Sequence, residues 1–240
     1  MPSVDRTARL TGVLFLLTFA TAIAGAVLYL PLLTDPDYVL GPGADTRVVI
    51  GVVCEILLVI TNLGTALVLY PVLRRHHETA ALAYVVARVV ECALIVVGML
   101  AVVSVVELRQ AQAGADADAA RAVAQALVAV HDATFLLGPG FVVGIGNGLL
   151  LGFLLHRAHL VPRPVALLGL VGGPLMSLSG IAVLFGAYEQ TSVRSGLLTL
   201  PEIAWELFLG VYLTVHGFRR ATEPAAPAAR VGAESGPRLP

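Results

Sequence analysis

Six long apolar runs, separated by short clusters of charged and turn-forming residues, make up most of this chain. They extend from Leu10 to Leu33, Val48 to Leu73, Ala81 to Leu108, Leu127 to Leu155, Val165 to Gly186 and Leu200 to Phe218. A bilayer core is crossed by about 20 apolar residues in helical form, so each run predicts a membrane-spanning helix. The expected fold is all-α: a polytopic transmembrane bundle of six helices occupying residues 10–218. Residues 1–9 are read as a cytoplasmic N-terminus and 219–240, an aperiodic mixture of Ala, Pro and Gly, as a disordered cytoplasmic tail. The first run has features of a signal peptide, with Arg6 and Arg9 before it and Ala20-Thr-Ala22 resembling a cleavage site. Its apolar stretch continues to Leu33, which favours retention as a span.

Composition reinforces the pattern. Of 240 residues, 58% are hydrophobic and 13% charged, and the mean hydropathy is +0.88, outside the range of water-soluble domains. All the basic residues are Arg, and Ala, Val, Leu and Gly dominate, as in chains from GC-rich bacterial genomes; a bacterial plasma membrane is the expected location. The net charge of -1 leaves no basic footprint for nucleic acid.

Charge alternates between successive connections. Arg6, Arg9, Arg74, Arg75, Arg157, Arg163, Arg219 and Arg220 crowd one set of span ends, whereas Arg47, Arg109, Arg121 and Arg194 are scattered among acids on the other. The excess of Arg on cytoplasmic loops predicts both termini inside. The Asp-, Pro- and Gly-rich stretch from Thr34 to Arg47 is then an outer turn, and the Ala-rich stretch from Arg109 to Ala126 extends the third or fourth helix beyond the membrane.

Within lipid, helices associate through close backbone approach at small residues. Gly140, Gly144, Gly148 and Gly152 recur at four-residue intervals, and Gly169, Gly173 and Ser177 repeat the theme in the fifth span. These ridges predict contact surfaces for other helices or for an oligomeric or membrane partner. Pro139 removes a backbone donor and predicts a kink or break in the fourth helix.

Ionisable groups inside hydrocarbon cost about 2.5–3.5 kcal/mol each on insertion scales, so they tend to face the bundle interior and to have a use. Here they are Glu55, Arg88, Glu91, Asp132 and Glu206. Arg88 and Glu91, three residues apart, share a helix face and can pair. Glu55, Asp132 and Glu206 each follow the start of a returning span by five to seven residues, which predicts a common depth near the outer boundary. One Arg cannot neutralise them all, so protonation, water or a bound cation must balance the rest. Glu202 is left outside this set, because Thr199-Leu-Pro-Glu202 has the spacing of a capping box at a helix start. Asn62 and Asn147 are expected to bond across helices.

The remaining chemistry is sparse. Cys54 and Cys92 read as small buried hydrophobes. His131 precedes Asp132 without a second ligand at metal spacing, and His76, His77, His156, His159 and His216 lie beside Arg at span ends; no metal site is expected. Ser104, Ser177 and Ser179 lack a G-x-S-x-G setting, and Gly-rich phosphate loops are absent, so no cofactor is expected.

The segments Gly51-Val-Val-Cys-Glu55, Tyr70-Pro-Val-Leu-Arg-Arg75 and Ala81-Leu-Ala-Tyr-Val-Val-Ala-Arg88-Val-Val-Glu91 carry a resemblance, as do Leu160-Val-Pro-Arg163, Leu167-Leu-Gly-Leu-Val-Gly-Gly173 and Gly217-Phe218. From Thr7 to Arg220 the chain resembles the bacterial membrane family known as domain of unknown function 4386. The resemblance implies six spans, with the acid of the second span and the Arg and Glu of the third belonging to the family's pattern. It implies no activity.

Three readings remain. The leading one is the binding or movement of a small molecule or cation through an outward-facing acidic pocket of Glu55, Arg88, Glu91, Asp132 and Glu206. The second is a non-catalytic structural or accessory membrane subunit. The third, an intramembrane hydrolase or transferase, is disfavoured because no nucleophile and base occur together.

Overall fold

The structure, a computed structural model, describes residues 4–111 and 116–219. The tail read as disordered therefore lies outside the described residues, except for Arg219. The described residues fold into helices and contain no strand. They are α1 (Val4–Thr34), α2 (Asp45–Leu73), α3 (Glu78–Gln110), α4 (Ala117–Leu137), a π-helical stretch (Gly138–Val142 and Gly144–Leu151), α5 (Gly152–Arg157), α6 (Arg163–Leu184) and α7 (Val193–His216). α4, the π-helical stretch and α5 form one continuous span, giving six helices long and apolar enough to cross a membrane. Leu67, Val171, Leu178 and Phe208 point outward with most of their surface exposed, as lipid-facing side chains do. This is a multi-pass membrane protein.

Local signals set the helix ends. The side chains of His77, Asp116 and Ser192 accept hydrogen bonds from the backbone amides of Ala80, Asp118 and Ser195, capping α3, α4 and α7. Pro164 lies in the first turn of α6, where its missing amide is no loss. Gly217 ends α7 at φ +72°, a conformation that favours glycine.

Two expectations are corrected. α7 begins at Val193, not near Leu200, so Glu202 lies well inside the helix and the capping-box reading fails. Ser192 is the cap, and Pro201 is accommodated within the helix. Of the kink or break expected at Pro139, the break does not occur, because the fourth span continues to Arg157. It widens into π-helix, in which the amide of Val143 reaches back five residues to the carbonyl of Gly138, and this accommodates the missing donor without ending the span.

The glycine ridge of that span meets α6 of the same chain. A Cβ on Gly144 would lie 3.2 Å from the amide nitrogen of Ser177, and one on Gly148 would lie 2.7 Å from that of Gly173. Apart from the small Ser177 hydroxyl, the two backbones meet directly along this seam. α1 packs between α2 and α7, with Phe15 and Tyr29 buried, making the first span part of the core.

Apolar packing falls into a cluster at each end of the bundle and a small one of Leu58, Ile95 and Met99 between them. Near the described chain ends, Phe15, Leu69, Leu73, Tyr84, Leu154, Trp205 and Leu213 form one cluster. Near the 35–44 turn, Tyr29, Leu32, Val48, Val102, Val105 and Ala124 form another. That turn is held by Arg109, whose Nε donates to Asp45 Oδ1 at 2.7 Å while Nη2 donates to Asp45 Oδ2. Arg109 Nη1 donates to the carbonyls of Gly41 and Pro42. Its guanidinium lies over Gly43, whose φ of +60° presents no Cβ to obstruct it.

Candidate functional site

Polar side chains from α1, α2, α3, the π-helix and α7 meet inside the bundle. Arg88, Asn147 and Glu206 each lie ten residues from the ends of their spans at Glu78, Arg157 and His216. At 1.5 Å per α-helical residue, that is ~15 Å from that face for Arg88 and Glu206. Helical periodicity aims these groups inward: Tyr84, Arg88, Glu91 and Ile95 follow three- and four-residue steps along the buried face of α3.

The first half of this centre is a closed ring. Arg88, 1% exposed, donates through Nη1 to Glu91 Oε2 at 2.7 Å and through Nη2 to Asn62 Oδ1 at 2.7 Å. Asn62 Nδ2 donates to Glu91 Oε1 at 2.9 Å. Arg88 Nη2 also reaches Thr65 Oγ1 at 3.4 Å. Thr18 of α1 extends the network, its hydroxyl donating to Thr61 Oγ1 at 3.0 Å and Asn62 Oδ1 at 3.3 Å. Every Glu91 oxygen is occupied, as a buried charge requires.

The second half is acid-rich. Asn147 Nδ2 donates to Glu206 Oε1, joining the π-helix to α7. Glu202, one turn before Glu206, is 1% exposed, and neither of its carboxylate oxygens has a hydrogen-bond partner. Asn147 Oδ1 and Arg88 Nε are also buried without partners. Glu206 lies within electrostatic reach of Arg88 and Glu91, and Glu202 within that of Arg88. With both Nη atoms of Arg88 held by the ring, the charges of Glu202 and Glu206 have no contacting cation. Among the described residues, no three His, Cys, Asp or Glu side chains converge in a metal-ligating group.

The residues singled out from sequence divide accordingly. Arg88, Glu91 and Glu206 belong to this centre. Glu55 is half-buried and accepts from the Tyr29 hydroxyl at 3.0 Å, nearer the 35–44 turn. Tyr29 packs edge-on against His131, with ring centroids 5.8 Å apart. Asp132 points outward at 61% side-chain exposure and contacts His131 Nδ1 at 3.3 Å. The structure does not bring Glu55 or Asp132 into contact with Arg88. The common depth fails because α2 begins about three residues before its apolar run at Asp45, whereas α4 and α7 begin about ten and seven residues before theirs at Ala117 and Val193, so equal offsets from the runs are unequal offsets from the helix ends. Glu206 therefore sits near the middle of α7.

Glu202 and the threonines were missed as members. Thr18, Thr61 and Thr65 are too weakly polar to interrupt an apolar run; only proximity to Asn62 along α2 marks Thr61 and Thr65, and nothing in α1 marks Thr18. Glu202 was open to recognition by its four-residue spacing from Glu206. The serines occupy bonds of their own: Ser104 Oγ donates to the Leu100 carbonyl, Ser177 Oγ to that of Phe141, and Ser179 Oγ accepts from the Tyr188 hydroxyl.

Outside the spans, burial pushes the Tyr38 hydroxyl of the 35–44 turn up to about 12, and its 2.9 Å bond to Asp45 Oδ1 adds to the effect.

Residues 10–217 match the family model described as Domain of unknown function (DUF4386). The chain belongs to this family. No curated protein and no solved structure matches it. In this DUF4386 chain the match runs from the first span to the end of the last, so the whole polar centre lies within the family's domain.

Proposed function

We propose that this protein binds a small molecule or cation at the intramembrane centre of Arg88, Glu91, Asn147, Glu202 and Glu206, and moves it or senses it there. The observation that carries the reading is the uncompensated acid: Glu202 and Glu206 lie one turn apart, while Arg88, the one buried arginine among the described residues, is engaged by Glu91 and Asn62. Charge deficits of this kind inside a membrane mark ion and substrate pathways. We read Tyr29, Glu55, His131 and Asp132, which contact one another nearer the 35–44 turn, as the approach to this centre. With the Arg-rich ends facing the cytoplasm of a bacterial cell, that side is outward.

Proteoliposomes containing the purified chain test this, with radiolabelled guanidinium and tetramethylammonium as probes and a trapped dye recording internal pH. The expected result is saturable entry of at least one probe, or of protons, above protein-free vesicles, falling to the protein-free level in Glu206→Gln. No flux and no shift of the thermal unfolding midpoint by either probe overturns the reading.

The closed Asn62–Arg88–Glu91 ring favours a second reading, an accessory subunit whose buried charges serve packing. Under that reading, substitution of Glu202 or Glu206 lowers abundance and nothing else.

A further inference from the structure

Glu202 is closed in by neighbouring backbone, and its carboxylate oxygens are buried. A Cβ on Gly148 would lie 2.5 Å from Glu202 Oε2, and one on Gly172 would lie 2.7 Å from its amide nitrogen and 2.9 Å from the Pro201 carbonyl carbon. The π-helix and α6 thus approach it with bare backbone on two sides. Both carboxylate oxygens are nevertheless unpartnered, and so is Oδ1 of Asn147, the residue before Gly148 and itself 1% exposed. An ionised carboxylate in such a place needs a partner, and a proton is the cation that needs no further space.

We propose that Glu202 is a proton-binding site. A proton adds to one oxygen of the carboxylate to give the neutral acid, which removes the unpartnered buried charge. Release returns the proton to water or to a Glu206 oxygen one turn along α7, and no bond between heavy atoms forms or breaks. The charged groups within electrostatic reach of Glu202 are Glu206 on its own helix and Arg88 on α3, while Tyr84 and Glu91 of α3 lie within reach of Glu206. The π-helix offers Asn147, and α6 offers only Gly172 and Gly173. Protonation removes a negative charge from a centre whose positive charge is already held elsewhere. This rests on the reading of the centre as a cation site and identifies the cation as the proton.

Infrared difference spectroscopy on the full chain in lipid, recorded across pH, tests it. The expected result is a carboxylic-acid C=O band at neutral pH that Glu202→Gln removes and Glu206→Gln retains. Identical acid-region spectra for wild type and Glu202→Gln overturn the proposal. If Glu202→Gln does not fold, a band surviving Glu55→Gln, Glu91→Gln and Glu206→Gln supports it. Absence of the band from wild type, or its loss in one of those three, overturns it. The readout is independent of flux. A band without flux removes the transport reading and keeps the proton site, whereas guanidinium flux without a band does the reverse.

Discussion

Asn62 holds Arg88 and Glu91 at once, accepting from Arg88 Nη2 at 2.7 Å and donating to Glu91 Oε1 at 2.9 Å. Its removal leaves both charged groups short of a partner in a dry interior. Asn62→Ala is expected to cost about 1–3 kcal/mol, the usual penalty for a buried group left unsatisfied. Arg88→Ala leaves Glu91 unpaired and is expected to cost about 3–5 kcal/mol. Arg88→Met combined with Glu91→Leu removes both charges and is expected to be less damaging than Arg88→Ala. Unfolding free energies in bicelles check the order.

Gly148→Ala forces a methyl group into the seam with α6 and against Glu202. Overpacking of this kind costs about 1–3 kcal/mol. Gly196, in the first turn of α7, has open space on the side where a methyl group would project, with nothing within 4 Å, so Gly196→Ala is expected to be neutral or slightly stabilising. Thermal unfolding of the two variants in parallel separates close packing from general helix effects.

The 35–44 turn should loosen at high pH. Tyr38 is pushed up to about 12, so its neutral form is the one the fold favours. The contribution is complete below the unfolded value of about 10 and is lost as pH rises towards 12. Proteolysis within the turn is expected to accelerate across that window, with Tyr38→Phe abolishing the pH dependence. A flat wild-type profile would contradict the assignment.

Arg109→Lys retains the charge but cannot reproduce the two-pronged contact with Asp45 or reach the carbonyls of Gly41 and Pro42 together. Faster cleavage of the 35–44 turn at neutral pH, with the rest of the bundle equally resistant, is the expected outcome in limited proteolysis.

Asp132→Asn is expected to leave any flux through Glu206 within about twofold of wild type, because Asp132 is exposed and its solvent-screened contact with His131 is worth little, about 0–1 kcal/mol. Proteoliposome flux of the two variants, Asp132→Asn and Glu206→Gln, checks the division between approach and centre.

The spans were legible because lipid demands an apolar run of fixed length, and Leu10–Leu33 or Ala81–Leu108 could hardly be read otherwise. The start of α7 was not. Thr191, Ser192, Arg194 and Ser195 make its beginning polar, so the apolar run begins later than the helix, and Glu202 passed for a cap. The Arg88–Glu91 pair followed from three-residue spacing alone. Its coupling to Asn62 needed the rotation of α2 against α3, which spacing within one helix does not contain. Pro139 advertised a disturbance, but whether a chain answers with a break or a wider turn depends on the neighbour. The small residues of α6 accept the wider turn.

A π-turn holds more residues than an α-turn, so Gly138–Leu151 stores surplus length in the middle of a span. Loss of a single residue there can be absorbed by winding back towards α, whereas the same loss in α3 would rotate Arg88 away from Asn62. Tolerance of single deletions is therefore concentrated beside Asn147, at the place where the fourth span touches the acids of α7.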